Sequence, residues 1–188
     1  MSNLEIIASA IGVWAVWLTV KQNRWCWPIG LVMVLMYAWI FFAGKLYSNM
    51  LLQGVYAALQ LYGWWQWTRG GESQQGVQVS RLSNQGLLFS LALGALGALA
   101  LGYLMANHTD ATAPWQDAAL SAFSLVAQVW MAQKRVECWP LWIVLDLLFV
   151  VLFLEYGLHL TAGLYALFTL LAANGWLTWR RDRALVRA

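Results

Sequence analysis

The stretch LLFSLALGALGALALGYLMA occupies residues 87–106 and contains no charged side chain. As a helix, a stretch of this length spans about 30 Å, which matches the hydrocarbon core of a bilayer. We therefore predict a transmembrane helix here. Its position near the middle of the chain decides how the segments on either side are related.

Six further apolar stretches flank this central span, three on each side. They cover residues 4–20, 25–44, 46–67, 115–132, 138–155 and 158–179. We predict an all-α integral membrane protein with seven transmembrane helices. The longest polar stretch, residues 68–86, is rich in Gly, Gln and Ser and is interpreted as a solvated loop. The first span has no basic region before it and is interpreted as a retained helix, not a removed signal peptide.

The composition supports a membrane protein and argues against other classes. Only 10% of the 188 residues are charged and 62% are hydrophobic, whereas ordinary soluble domains carry about 25% charged residues. The net charge of +3 comes from basic residues between the spans, so a nucleic-acid partner is not expected. Cys26 and Cys138 have no metal-ligand spacing and are interpreted as core residues, and no metal or cofactor is predicted.

The basic residues predict the orientation in the membrane. Seven spans place ten Lys and Arg side chains on the side of the C-terminus and only Lys45 on the other side. Because basic residues are retained on the cytoplasmic side, the C-terminus is predicted to be cytoplasmic and the N-terminus outside. The expected location is a bacterial inner membrane.

An internal repeat appears when the sequence is shifted by 112 residues. The Cys-Trp-Pro at residues 26–28 then falls on the same tripeptide at residues 138–140. Gly63 and Trp64 fall on Gly175 and Trp176, and Trp67 falls on Trp179, all without a gap.

The repeat predicts a 3+1+3 arrangement. Because three is an odd number, a second copy that followed the first directly would cross the membrane in the opposite direction. The central span restores the original direction, so the two copies are parallel. We predict a first repeat at residues 1–68, a loop and linker helix at 69–114, and a second repeat with a basic tail at 115–188. Parallel repeats are typical of transporters with a mid-membrane site between the copies. A duplicated structural membrane protein is the alternative.

Polar side chains follow one face of the third span. Their spacing of three or four residues keeps them aligned on a helix, and they are Asn49, Gln53, Tyr56, Gln60, Trp64 and Trp67. A cavity filled by water or solute explains the stripe, and hydrogen bonding between helices is the alternative. The corresponding face of the seventh span carries Thr161, Tyr165, Phe168, Ala172, Trp176 and Trp179.

Asp146 is the one carboxylate placed deep in a predicted span. A buried carboxylate has to be paired, hydrogen-bonded or protonated. It could face a cationic solute, relay protons, or bond to nearby Trp or Tyr donors. No phosphate-binding loop, zinc-binding pair or nucleophile elbow is present, so neither an enzyme nor catalytic residues are predicted.

The signatures Tyr62-Gly63-Trp64-x-x-Trp67 and Asn174-Gly175-Trp176-x-x-Trp179 resemble those of the PnuC family of nicotinamide riboside transporters. The segment at residues 46–53 and the Trp-Pro-Leu-Trp at 139–142 are similar to the same family. The chain departs from the family pattern at Gln60 and Asp146, where some relatives are expected to carry Asn.

The resemblance implies a SWEET-like fold and facilitated diffusion of nicotinamide riboside, a vitamin B3 form that is trapped by phosphorylation in the cytoplasm. The expected substrate site comprises Gln53, Gln60, Trp142, Asp146, Tyr165 and Asn174. Aromatic faces would stack on the pyridinium cation, and the amides and the carboxylate would meet its polar groups. A homo-oligomer in the bilayer is expected, with a trimer as the candidate. A proton-coupled carrier that uses Asp146 and a non-transporting membrane scaffold remain as alternatives.

Overall fold

The structure is a computed structural model that describes residues 3–43, 47–71, 75–109 and 113–187. Within these residues the chain forms seven helices. They are α1 Asn3–Val20, α2 Cys26–Ala43, α3 Tyr47–Arg69, α4 Asn84–His108, α5 Pro114–Ala132, α6 Cys138–Glu155 and α7 His159–Arg187. All but one of the predicted bounds lie within three residues of these ends. The joint at Gly44 and Lys45 lies outside the described residues.

The exception is the end of α7. The predicted span stops at Trp179, but the helix continues to Arg187. The residues beyond Trp179 include no Gly or Pro and consist mainly of Arg, Ala and Leu, which favour helix. The basic tail is therefore, through Arg187, an extension of the seventh helix.

The helices differ in how apolar they are. Among the described residues, α4, α6 and the first 26 residues of α7 are long and apolar enough to cross a membrane. Shorter apolar helices cover Ile6–Val20 and Cys26–Ile40. The third and fifth helices carry polar side chains within their spans, and these side chains lower the mean hydropathy of the two helices. Helices of this kind place their polar faces against other helices.

The central helix α4 packs against α5 alone among the described helices. Gly94 and Gly102 provide the contact surface, because a Cβ at these positions would lie 3.1 Å from Phe123 and 2.4 Å from Trp115. Phe89 is 72% exposed on the other side of the helix. Small residues on the packed face and large apolar ones on the outer face are typical of a helix bordered by lipid.

The remaining helix contacts follow the same pattern in both halves. In the first half α2 contacts α1 and α3, and in the second half α6 contacts α5 and α7. Between the halves, α1 contacts α7 and α3 contacts α5. The first helix of each half therefore meets the third helix of the other half.

Local backbone details also recur with the spacing of 112 residues. Gln22 and Lys134 both adopt a left-handed conformation, with φ of 53° and 50°. The turn hydrogen bond from the Asn23 N–H to the Leu18 carbonyl, at 2.9 Å, corresponds to the bond from the Arg135 N–H to the Trp130 carbonyl, at 2.8 Å. The turns that join the first two helices of each half thus share one geometry.

Four tryptophans join the halves at the end where these turns lie, and we call Trp27, Trp67, Trp139 and Trp179 the tryptophan clasp. The ring centroids of Trp27 and Trp67 are 5.5 Å apart, those of Trp139 and Trp179 are 5.2 Å apart, and the Trp67 and Trp179 rings meet at 5.9 Å. All four side chains are buried. Edge-to-face aromatic contacts of this kind stabilise beyond the area that they bury.

The clasp is hydrogen-bonded across the two halves. The indole N–H of Trp67 donates to the Ala132 carbonyl at 3.1 Å, and that of Trp179 donates to the Val20 carbonyl at 3.3 Å. These carbonyls lie at the ends of α5 and α1, where helices leave acceptors without an intrahelical partner. Each third helix therefore caps the first helix of the opposite half.

The segment between α3 and α4 is more ordered than a solvated loop. Ser80 forms an isolated parallel β-bridge with Arg135, and the Arg135 guanidinium donates to the Ser80 hydroxyl at 3.0 Å. Val77, Val79 and Leu82 pack against the core that includes the clasp. The prediction of a solvated loop is therefore wrong for the second half of this segment, because alternate apolar residues bind it to the helix bundle.

Candidate functional site

Buried polar side chains indicate where a site can lie inside an apolar bundle. In the described residues these are Thr19, Gln60, Ser124, Gln128 and Asp146. Thr19 is accounted for locally, since its hydroxyl donates to the Ala15 carbonyl of the same helix at 2.9 Å. The other four lie within α3, α5 and α6, at positions that a membrane protein rarely gives to polar groups without a function or a partner.

Gln60 lies on α3 where this helix crosses α2. Its side-chain amide rests on Gly30, and a Cβ at Gly30 would be 2.8 Å from the amide nitrogen. The corresponding pair in the second half is Trp142 and Ala172, so a large side chain on α6 replaces the large side chain on α3. The two halves are therefore unlike at this level.

Aromatic rings surround Tyr165 of α7. The centroid of its ring lies 4.8 Å from Phe149, 5.1 Å from Phe153 and 5.7 Å from Phe168. Phe149 and Phe153 come from α6, one helical turn apart, and Phe168 lies on α7. Three aromatic rings of α6 and α7 therefore pack around the half-buried Tyr165 ring.

Polar groups of five helices lie close to one another inside the bundle. The Tyr165 hydroxyl is within electrostatic range of Asp146 on α6, Tyr37 on α2 and Tyr56 on α3. The Ser124 side chain of α5 lies within hydrogen-bonding reach of the Tyr56 hydroxyl. We call Tyr37, Tyr56, Ser124, Asp146 and Tyr165 the central polar cluster.

Asp146 is the acidic member of this cluster, and it is only 5% exposed. Among the residues that the structure describes, no Lys, Arg or His side chain forms an ion pair with it. A carboxylate in a low-dielectric interior attracts a cation strongly and is costly when it stays charged and unpaired. The site therefore offers a cation a carboxylate and several aromatic rings.

Trp142 lies on α6 four residues before Asp146 and thus on the same helix face. Its indole nitrogen is buried and has no acceptor within the described part of the chain. Buried indole N–H groups normally have a partner. This donor is available to a polar group of a ligand.

Gln53 and Asn174 lie outside the central polar cluster. Gln53 is half-buried, two turns from Gln60 on α3. Asn174 is exposed on α7, where its side-chain oxygen accepts a hydrogen bond from the Thr178 hydroxyl at 3.2 Å. The side chain of Asn49 lies outside the described residues. Of the predicted site residues, the structure groups Asp146 and Tyr165 directly, and it places Gln60 and Trp142 one turn from members of the cluster.

Sequence reasoning missed Tyr37, Ser124 and Gln128. Ser124 and Gln128 are four residues apart on the buried face of α5, so their spacing was a usable signal. Tyr37 gave no such signal, because its span is otherwise apolar. Its hydroxyl also lies 3.4 Å from that of Ser9 on α1, and this contact depends on tertiary packing.

A bundle that is apolar outside and polar at its buried centre has the architecture of a multi-pass membrane transport protein. The sequence model of the nicotinamide mononucleotide transporter family matches residues 2–181, and the chain belongs to this family. The family resemblance seen in the tryptophan signatures is thereby confirmed.

Individual relatives agree with the family match. The nicotinamide riboside transporter PnuC of Escherichia coli (strain K12) is 26% identical over 211 residues, covering 97% of this chain and 88% of the relative. The riboflavin/roseoflavin transporter RibM of Streptomyces davaonensis is 27% identical over 187 residues, covering 95% and 86%. The crystal structure of the vitamin B3 transporter PnuC superposes with a TM-score of 0.74 at 26% identity, covering 95% of this chain and 80% of that one.

Proposed function

We propose that this protein carries nicotinamide riboside across a bacterial inner membrane by facilitated diffusion, and that phosphorylation in the cytoplasm retains the solute. The observation that carries the proposal is Asp146, a buried carboxylate without a cationic partner among the described residues, beside the aromatic Tyr165. The similarity to PnuC of Escherichia coli supports the choice of solute.

The chemistry of nicotinamide riboside suits the groups present. Its pyridinium ring is a cation, which the Asp146 carboxylate attracts and which Tyr165 can stack upon. Its carboxamide and ribose hydroxyls need hydrogen-bonding partners, and Gln53, Gln60 and the Trp142 indole N–H supply them. Asn174 is left out of this ligand set because its side chain is exposed.

The proposed transport path runs between two parallel three-helix repeats, residues 1–68 and 115–188, with residues 69–114 as loop and linker helix in a SWEET-like 3+1+3 order. The recurring turns and the reciprocal contacts of the clasp support this arrangement. We further propose an outside N-terminus and a cytoplasmic C-terminus, from the distribution of basic residues. Assembly into a trimer stays a prediction.

Uptake of labelled nicotinamide riboside into proteoliposomes tests the proposal, with and without a pH gradient. Uptake without a gradient is the expected result. Strict dependence on a gradient would instead favour the proton-coupled carrier that uses Asp146. If folded protein takes up neither nicotinamide riboside nor riboflavin, the chain is not a carrier of these solutes. That result would favour the non-transporting membrane scaffold.

Riboflavin is the second candidate, because RibM is as similar to this chain as PnuC of Escherichia coli. The flavin ring is neutral, so the Asp146 carboxylate does not attract it by charge. We therefore expect unlabelled nicotinamide riboside to compete with the labelled solute and riboflavin to compete weakly. The reverse order of competition would assign the flavin instead.

A further inference from the structure

Three arginines converge on a hollow at the end of the molecule where the clasp lies. Arg81, Arg180 and Arg183 line it together with Ala184, and its volume is about 250 Å³. Arg81 belongs to the segment that leads into α4, and the other two are three residues apart on α7. The hollow is therefore formed by parts of the chain that are far apart in sequence.

The hollow is rich in positive charge, and neighbouring side chains position two of its arginines. The Arg81 guanidinium lies 3.4 Å from a Glu137 carboxylate oxygen, while the other oxygen of Glu137 accepts the Leu82 N–H at 3.1 Å. Arg180 stacks over the Trp176 ring at 5.2 Å. Positioned guanidinium groups are the preferred partners of phosphate, since their fork matches its oxygens.

The position along α7 indicates the depth of this hollow in the membrane. Trp179 closes the apolar part of the helix, and Arg180 follows it directly. Arginines one turn beyond the apolar part of a span lie at the level of the lipid headgroups. The predicted cytoplasmic side is also where anionic lipids concentrate.

The internal repeat shows that these arginines are not a remnant of the duplication. The residues that correspond to Arg180 and Arg183 in the first half are Thr68 and Gly71. The Thr68 hydroxyl bonds back to the Trp64 carbonyl at 2.6 Å and serves its own helix. Only the second half therefore carries the basic pair.

We propose that this hollow binds the phosphate group of an anionic phospholipid and thereby anchors α7 to the segment that leads into α4. The inference is independent of the transported solute. A free phosphate ion shares the chemistry, but the headgroup is favoured because the hollow lies where the apolar span ends.

Binding is measured on full-length protein that has been delipidated in mild detergent. Phosphatidylglycerol, phosphatidylcholine and inorganic phosphate are added separately, and the melting temperature and the lipids retained in native mass spectrometry are recorded. Phosphatidylglycerol should raise the melting temperature and remain bound, whereas the other two should do neither. Equal effects of both lipids would overturn the proposal, and stabilisation by inorganic phosphate alone would assign a free-ion site instead.

The variant R180Q/R183Q should bind phosphatidylglycerol at least about 10-fold more weakly, because it loses the charge-assisted hydrogen bonds of two guanidinium groups to the phosphate. The matched control is K21Q/R24Q, which removes two exposed cations from the same predicted side without touching the hollow. An equal loss in both variants would show general surface attraction and refute a specific site. If the double variant does not fold, R81Q gives the same comparison, with R24Q as its control.

Discussion

At the residue scale, the charge of Asp146 is the property on which the proposed selectivity depends. In D146N the side chain keeps its shape and loses its charge. A hydrogen bond or contact to a charged group contributes roughly 1.5–3 kcal/mol, so nicotinamide riboside should bind roughly 10- to 150-fold more weakly. Titration of the purified variant measures this, and thermal unfolding should show equal or higher stability because an unpaired buried carboxylate is removed.

A matched ligand separates charge from shape in the same experiment. Reduced nicotinamide riboside has a neutral ring, so the D146N change should affect its binding little. If the variant binds the cationic and the neutral forms with the parent's affinities, Asp146 does not face the ring.

The amides of α3 give a second prediction at this scale. Gln53→Leu and Gln60→Leu should each weaken binding of nicotinamide riboside roughly 5- to 150-fold, since an unpartnered polar group in a buried site costs about 1–3 kcal/mol. Asn174→Leu is the control, because its side chain is exposed and bonded within its own helix. Folded Gln variants with unchanged affinity would mean that the stripe joins helices and the site lies elsewhere.

At the scale of helices, the clasp couples each third helix to the first helix of the other half. Trp67→Phe and Trp179→Phe each remove one indole N–H and leave a buried carbonyl without its donor. Each should lower the free energy of unfolding by about 1–3 kcal/mol, and the two effects should be similar because the bonds are equivalent. Thermal or denaturant unfolding of the purified variants measures the change.

Trp65→Phe provides the comparison, because Trp65 is half exposed on the same helix. The native thiols Cys26 and Cys138 are buried in the clasp layer and report its opening. Maleimide labelling of both should accelerate in the two clasp variants and not in Trp65→Phe. Equal labelling rates in all three variants would argue against the clasp as the closure of this end.

Lys134 lies next to the clasp, with its ammonium group 4.6 Å from the centroid of the Trp67 ring. Burial lowers the pKa of this ammonium group.

At the scale of the whole molecule, the ten-to-one distribution of basic residues predicts how the bundle is oriented. Reporters fused to the C-terminus should be active only on the cytoplasmic side, since retaining basic loops inside is a property of membrane insertion. Periplasmic activity of such a fusion would contradict the predicted orientation. The arginine hollow would then lie on the outer side of the membrane.

The sequence by itself determined the helices, the membrane class and the internal repeat. Backbone groups in hydrocarbon have to bond within their own segment, so an uncharged stretch of sufficient length, such as residues 87–106, is a helix whatever surrounds it. Trp27 and Gly63, and their counterparts Trp139 and Gly175, were also identifiable as recurring residues. Their physical reason became visible only in three dimensions, where each glycine admits the tryptophan ring.

Only the tertiary structure decided which polar side chains meet. Asp146 and Gln60 were identifiable because polar groups within a span are costly, but the direction in which a helix face points is set by its neighbours. The spans that carry Tyr37 and Asn174 are apolar on nearly every face, so periodicity could not separate the exposed Asn174 from the clustered Tyr37. The order in the segment at residues 75–82 arises in the same way, from contacts with the distant turn at Arg135. Local chemistry fixes the spans, and contacts between residues far apart in the chain assemble the candidate site.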